Sequence, residues 1–256
     1  MAQMKMNAKT ATVALGVLVL AGSAQAGSTL WDNGPIVTNP GGGFGGADAS
    51  LVQSQLGMTS LGGNVNVGSF RRADNFTVGA GGWRLDSIQV FGYFTGGDTT
   101  TSPIENLFVR IWDANPGAGG TVVAGDMTTN ILASSDWTGA YRASTNSPLG
   151  NTRPIWDAVG SLGGLVLAEG EYWVEVGMSS SLGTMWMPPV SIPDQSSTGD
   201  ALTYTVSSDS WGPWLDGGAG TPLGMPFVLT GSVVPAPGAM ALLGLGGLAA
   251  SRRRRG

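Results

Sequence analysis

The chain has 256 residues with neither cysteine nor histidine, which excludes disulfides, thiol nucleophiles, Ser-His-Asp triads and the common zinc sites. Its net charge of −5 is unevenly spread: Lys5, Lys9 and Arg252–Arg255 sit at the ends, leaving six arginines against all seventeen acidic residues, −11, in between. A lysine-free body this acidic from Gly27 to Ser232 cannot run a Ser-Lys dyad and repels nucleic-acid phosphate, so its partners are neutral polysaccharide, divalent cations or proteins.

Residues 1–26 read as a secretory signal peptide. Lys5 and Lys9 supply the positive start, Ala11–Gly22 the apolar centre, and Ala24-Gln25-Ala26 a small-residue cleavage site that makes Gly27 the mature N-terminus. Residues 27–68 form an irregular Gly-rich opening segment, loosest at Gly41-Gly42-Gly43 and Gly45-Gly46. Alternation then predicts strands at Phe70–Val78, at Trp83–Phe94 and at Leu107–Trp112, the last with Leu107, Val109 and Ile111 inward. The turn Asp113-Ala114-Asn115-Pro116-Gly117 follows. Shorter strands are expected at Ile131–Ala133, Asp136–Arg142 and Ile155–Val159. A hairpin is expected from Leu165–Leu167 through Glu169-Gly170 to Tyr172–Val176, and Ala201–Val206 and Pro226–Val233 close the sheets. Roughly eight to ten strands with frequent turns and no amphipathic helix predict an all-β domain over 69–232: a two-layer antiparallel β-sandwich, jelly-roll-like.

Residues 233–256 have a different character. Val234-Pro235-Ala236-Pro237 breaks regular structure, Ala239–Ala250 is continuously apolar, and Arg252-Arg253-Arg254-Arg255 almost ends the chain. Counted from Val233, the apolar stretch approaches the about 20 residues of a membrane-spanning helix, and the arginines resist translocation and stay cytoplasmic. This order resembles the PEP-CTERM sorting signal of exopolysaccharide-producing Gram-negative bacteria: a Pro-Glu-Pro motif, a hydrophobic helix and an Arg cluster. One position departs, since Ala236 stands where the family has Glu. The resemblance implies transient inner-membrane anchoring through the C-terminal helix, an exosortase-type membrane enzyme as partner, and release to the cell surface or extracellular matrix. The body, through Val109-Arg110-Ile111-Trp112-Asp113, Gly170-Glu171-Tyr172-Trp173-Val174 and Trp186-Met187-Pro188-Pro189, resembles uncharacterised secreted β domains of planctomycete-like bacteria that carry such signals. That likeness implies a shared β domain and no catalytic residues.

Four constellations bear on chemistry. Nine tryptophans are many for this length; most are expected to fill the sandwich core, while Trp186, Trp211 and Trp214 stand in loop-like sequence and are the candidates for stacking on sugar rings, if exposed and coplanar. Glu171, Trp173 and Glu175 share one strand face by period two, expected to be a solvated outer face. The backbone there spaces the carboxylates about 13 Å apart, poorly matched to glycoside hydrolysis. Nine aspartates fall mostly in turns, where they cap the backbone or supply oxygen ligands for a structural calcium; no other metal or cofactor is implied. Arg71-Arg72 beside Asp74 reads as a surface ion-pair feature, without a third basic group nearby to make an anion site. Two functional classes follow, a non-catalytic cell-surface or matrix protein associated with exopolysaccharide and an extracellular carbohydrate-binding module using loop tryptophans. A secreted hydrolase relying on carboxylates alone is the third.

Overall fold

Short runs of apolar and polar residues bounded by turns form the strands here. The computed structural model of the chain describes residues 27–195 and 199–234. The signal peptide, Pro235, Ala236 and Pro237, the apolar run and Arg252–Arg255 lie outside the described residues. No helix among the described residues is long and apolar enough to cross a membrane. The strands are β1 (Ser28–Asp32), β2 (Asp48–Val52), β3 (Gly63–Asn64), β4 (Phe70–Val78), β5 (Trp83–Gly92), β6 (Asn106–Trp112), β7 (Val122–Asp126) and β8 (Leu132–Ser134). They continue with β9 (Trp137–Ser144), β10 (Pro154–Leu167), β11 (Gly170–Ser179), β12 (Trp186–Met187), β13 (Leu202–Thr205), β14 (Ser210–Pro213) and β15 (Phe227–Val233).

Two sheets pack face to face, an all-β sandwich as the sequence predicts. One has the order β14-β13-β4-β11-β6-β7; the other is β1-β15-β5-β10-β9-β2, with β8 also on β10. Pairing is antiparallel throughout except between β2 and β9. The strip β4–β5, one strand in each sheet, lies beside the strip β11–β10, again one strand in each, which is the winding of a jelly roll. Gly81 (φ 89°) and Gly82 (φ 85°) make the crossing from β4 to β5, and a Cβ on Gly82 would stand 2.6 Å from the Leu167 carbonyl oxygen. Only glycine fits there.

The core fills the space between the sheets. Phe76 and Val78 of β4, Leu107, Val109 and Ile111 of β6, and Val174, Val176 and Met178 of β11 face Leu85, Ile88 and Val90 of β5 and Phe227 and Leu229 of β15. Each such side chain fully buried contributes about 1.5–3 kcal/mol. Phe76 anchors an aromatic group, stacked 5.8 Å from Tyr172 and 6.4 Å from Trp83 and edge-on to Phe227 at 6.3 Å.

Several expectations are corrected. Residues 27–68 are not merely an irregular opening: β1 pairs with β15 and β2 with β9, at the two edges of the larger sheet. Leu165–Leu167 and Tyr172–Val176 do not form a hairpin, because β10 and β11 lie in different sheets and Ala168-Glu169 arches between them. Leu165–Leu167 instead continues β10, which begins at Pro154, across a register shift between Ser161 and Leu165 where Gly163 and Gly164 take φ of 63° and 75°. Of the predicted acidic strand face, Glu171 is exposed while Trp173 and Glu175 are buried, and Arg71 and Arg72 are 9 % and 6 % exposed, so the arginine pair is not a solvated surface and the acidic face is solvated only at Glu171. Trp112, expected from the sequence to be buried in the core at the end of its strand, is instead half-buried outside it.

Candidate functional site

Arg71 and Arg72 are adjacent in β4, so their side chains leave the six-stranded sheet on opposite faces. Each meets a different environment. On the outer face, register places Glu175 opposite Arg110 of β6 and beside Ala73 of β4, with Tyr204 of β13 opposite Arg71. Arg71 Nε lies 2.8 Å from Glu175 Oε1, Arg110 Nη1 lies 3.6 Å from Oε2, and Trp112 Nε1–H donates to Oε2 at 3.0 Å. With Arg72 on the opposite face, Arg110 of β6 is the second basic group beside Arg71, and Glu175 lies between the two. Burial raises the Glu175 carboxyl, against the opposing pull of Arg71 and Arg110.

Trp211 belongs to this outer face. It meets Trp112 edge-on at 6.2 Å and 89°, and Tyr204 at 5.0 Å and 55°, while the Arg71 guanidinium covers the Tyr204 ring at 4.1 Å. Rings set at such angles offer a sugar no flat platform. Trp211 is therefore separated from Trp186 and Trp214, and the three do not form one coplanar set.

Trp186 and Trp214 do come together, on the other side of the sheet. Met185, just before β12, and Trp186 and Met187 within it alternate, so both methionines are buried in the core and Trp186 faces outward, half-buried and paired with Asn64 of β3. Trp214 is 4 % exposed rather than free in a loop. Its backbone N–H donates to Ala201 and its carbonyl accepts from Leu223, which fixes the ring. The two rings line a cleft of about 510 Å³ together with Arg72, Thr203, Asn64 and Ser60. That volume falls in the usual range of ligand sites, about 300–1,000 Å³.

Arg72 is the cation of this cleft. Its Nη1 donates to Thr203 Oγ1, and its guanidinium carbon lies 4.6 Å from the Trp214 ring centroid. Among the described residues no carboxylate comes within ion-pair distance, and Nε is buried with no acceptor. Burial alone lowers its pKa to about 10. Gly63 makes the placement possible, since a Cβ there would meet Nη2 at 2.5 Å and Nε at 2.6 Å.

The acidic side chains closest in sequence to the cleft are occupied elsewhere. Asp216 accepts the N–H groups of Thr59, Ser60, Gly218 and Ala219; burial works to raise its carboxyl, but these amides hold it below the usual range. Asp74, on the same face of β4 as Arg72, accepts from Asn33 Nδ2 and from the N–H groups of Asn75 and Met225. Burial nonetheless pushes it up to about 7. The turn aspartates do similar work: Asp98 caps Thr100 and Thr101, and Asp126 caps Thr128 and Thr129. No group of three acidic side chains suited to a metal ion gathers among the described residues.

Thr203, Asn64 and Ser60 were not singled out by sequence, and Arg72 was read there only as half of a surface ion-pair feature. Alternation along β4 could have separated Arg72 from Arg71; the other three sit in segments whose neighbours in space no local pattern announces. Compared with known proteins, the chain matches no family model, no curated protein and no solved structure.

Proposed function

We propose that the chain is a secreted, membrane-sorted, non-catalytic protein of the cell surface or extracellular matrix, which holds exopolysaccharide in the cleft between Trp186 and Trp214. One observation carries the binding half: two indole rings, a guanidinium and the polar side chains of Asn64, Ser60 and Thr203 share one concavity of about 510 Å³. Aromatic faces suit the C–H faces of sugar rings, while amide, hydroxyl and guanidinium groups suit their oxygens. Paired carboxylates, which hydrolysis without His or Cys would require, do not line that cleft. The delivery half rests on sequence. The signal peptide directs export, and Val234-Pro235-Ala236-Pro237 with the apolar run and Arg252–Arg255 presents the tail to an exosortase-type enzyme.

Affinity electrophoresis through gels containing matrix polysaccharides tests the binding. Wild-type protein should be retarded by at least one, and Trp186→Ala should recover most of the lost mobility. Equal mobility in every gel would leave no role for the cleft.

A further inference from the structure

We infer that the glycan held in this cleft is acidic, with a sugar carboxylate seated on the Arg72 guanidinium; this rests on the glycan-binding reading above. Every other arginine but one among the described residues has a carboxylate or an acceptor at each guanidinium nitrogen. Arg71 and Arg110 share Glu175, and Arg84 lies 3.4 Å from Asp86. Arg142, 2 % exposed, donates to the carbonyls of Leu61 and Ser60 and the hydroxyls of Ser50 and Ser191. Arg153, the exception, is in solvent contact and donates to the Thr152 hydroxyl. Arg72 alone combines near-complete burial, a single hydrogen-bonded nitrogen, and a place in the wall of a ligand-sized cleft.

A buried charge without a counter-charge is costly to keep, so its retention calls for a partner that arrives from outside. A guanidinium matches the two oxygens of a carboxylate geometrically as well as electrostatically. The anion must also be compact and ring-shaped, because Trp186 and Trp214 flank the position. A uronate residue meets both demands: a pyranose face for indole and a carboxylate for Arg72. The −11 body disfavours polyanions at long range, but that repulsion is screened within about 8 Å at physiological salt. Among the described residues no acidic side chain lines the cleft to oppose the carboxylate at contact.

The test is affinity electrophoresis in alginate, polygalacturonate and hyaluronate, each beside its carboxyl-reduced, neutral counterpart, with poly-glutamate as a non-sugar polyanion. Wild-type protein should be retarded at least tenfold more strongly by one or more acidic polymers than by its reduced form, and little by poly-glutamate. Arg72→Gln should lose that preference while keeping whatever retardation the neutral form gives. Should Arg72→Gln fold poorly by melting temperature, Arg72→Lys keeps the charge but not the planar fork, and should still lose most of the preference. Equal retardation by acidic and reduced polymers overturns the carboxylate assignment and leaves glycan binding intact. Retardation by poly-glutamate at least equal to that by the polyuronates overturns the sugar and favours acidic peptide. No retardation of wild-type protein in any gel overturns the glycan reading and this inference together.

Discussion

Glu175→Gln isolates the charge of the outer-face cluster while conserving its volume. In the native protein the carboxylate is fully buried, 2.8 Å from Arg71 and 3.6 Å from Arg110, whose side chains are 11 % and 28 % exposed. An amide in its place strands the Arg71 guanidinium with little water. Removing one partner of a buried pair typically costs about 3–5 kcal/mol. Arg110 is open enough to rehydrate, so its share is discounted and the expected loss is about 3 kcal/mol. For a domain of this size that is a fall in melting temperature of about 6–12 °C.

The decisive comparison is with Arg71→Met/Glu175→Leu, which removes both charges and fills the space with apolar atoms. Since replacing a whole buried pair is often nearly neutral, the double variant should melt above Glu175→Gln despite carrying the larger change. Urea unfolding at neutral pH with matched thermal melts gives both quantities. If Glu175→Gln melts within about 2 °C of wild type, or the double variant loses more than the single one, the cluster is not sealed from water and the reasoning fails.

Trp112→Phe keeps ring packing against Trp211 but deletes the N–H donated to Glu175, and should cost about 1.5–3 kcal/mol by urea unfolding, the range for a hydrogen bond to a charged group. Asp74 should give stability a pH dependence: its folded-state pKa of about 7 exceeds the unfolded value near 3.8, so the folded state holds the proton more tightly. That contribution, up to about 4 kcal/mol, is fully present below the unfolded pKa and is lost as pH rises through about 7. With no histidine in the chain to titrate over the same window, unfolding midpoints should fall between pH 5 and 8, and Asp74→Asn should flatten the fall; an unchanged slope in the variant would refute the assignment. At the tail, epitopes after Gly256 and inside the body should separate onto different polypeptides during export, and replacing Arg252–Arg255 by neutral residues should stop the separation. Both tags remaining on one wild-type polypeptide would make the tail a permanent anchor.

How much of this could be read in the sequence depends on the range of the interaction concerned. β4 and β6 were legible almost to the residue, because Phe76 and Val78 and Leu107, Val109 and Ile111 recur with period two between turn-forming segments. β1 and β2 were not, since Ser28–Asp32 and Asp48–Val52 have weak patterns of their own and are strands only because β15 and β9 offer an edge. The β10–β11 hairpin failed for a related reason: a two-residue link fits a hairpin or an arch between sheets equally well, and pairing with β4 and β5 decides. Of the candidate tryptophans, Trp186 keeps a position in the cleft, Trp214 shares it while buried, and Trp211 belongs to the opposite face.

The division between Arg71 and Arg72 shows how one dipeptide comes to hold two kinds of charge. Strand geometry forces them apart, and each side of the sheet then determines what the guanidinium can do. On the outer face two arginines converge on Glu175, whose oxygens are taken by Arg71, Arg110 and Trp112; there each arginine already has a carboxylate partner within the protein. On the inner face Arg72 has one hydroxyl, one indole face and no carboxylate, in a cleft wall. A cation already paired stabilises packing, whereas a cation left unpaired beside aromatic rings can pair only with something that enters. Stability in the absence of ligand separates the two roles. Removing the charge at Arg72, as in Arg72→Met, should raise the melting temperature because an uncompensated buried charge is lost, while Arg71→Met should lower it because Glu175 loses its closest partner. If both substitutions destabilise to the same degree, Arg72 is a structural residue like its neighbour.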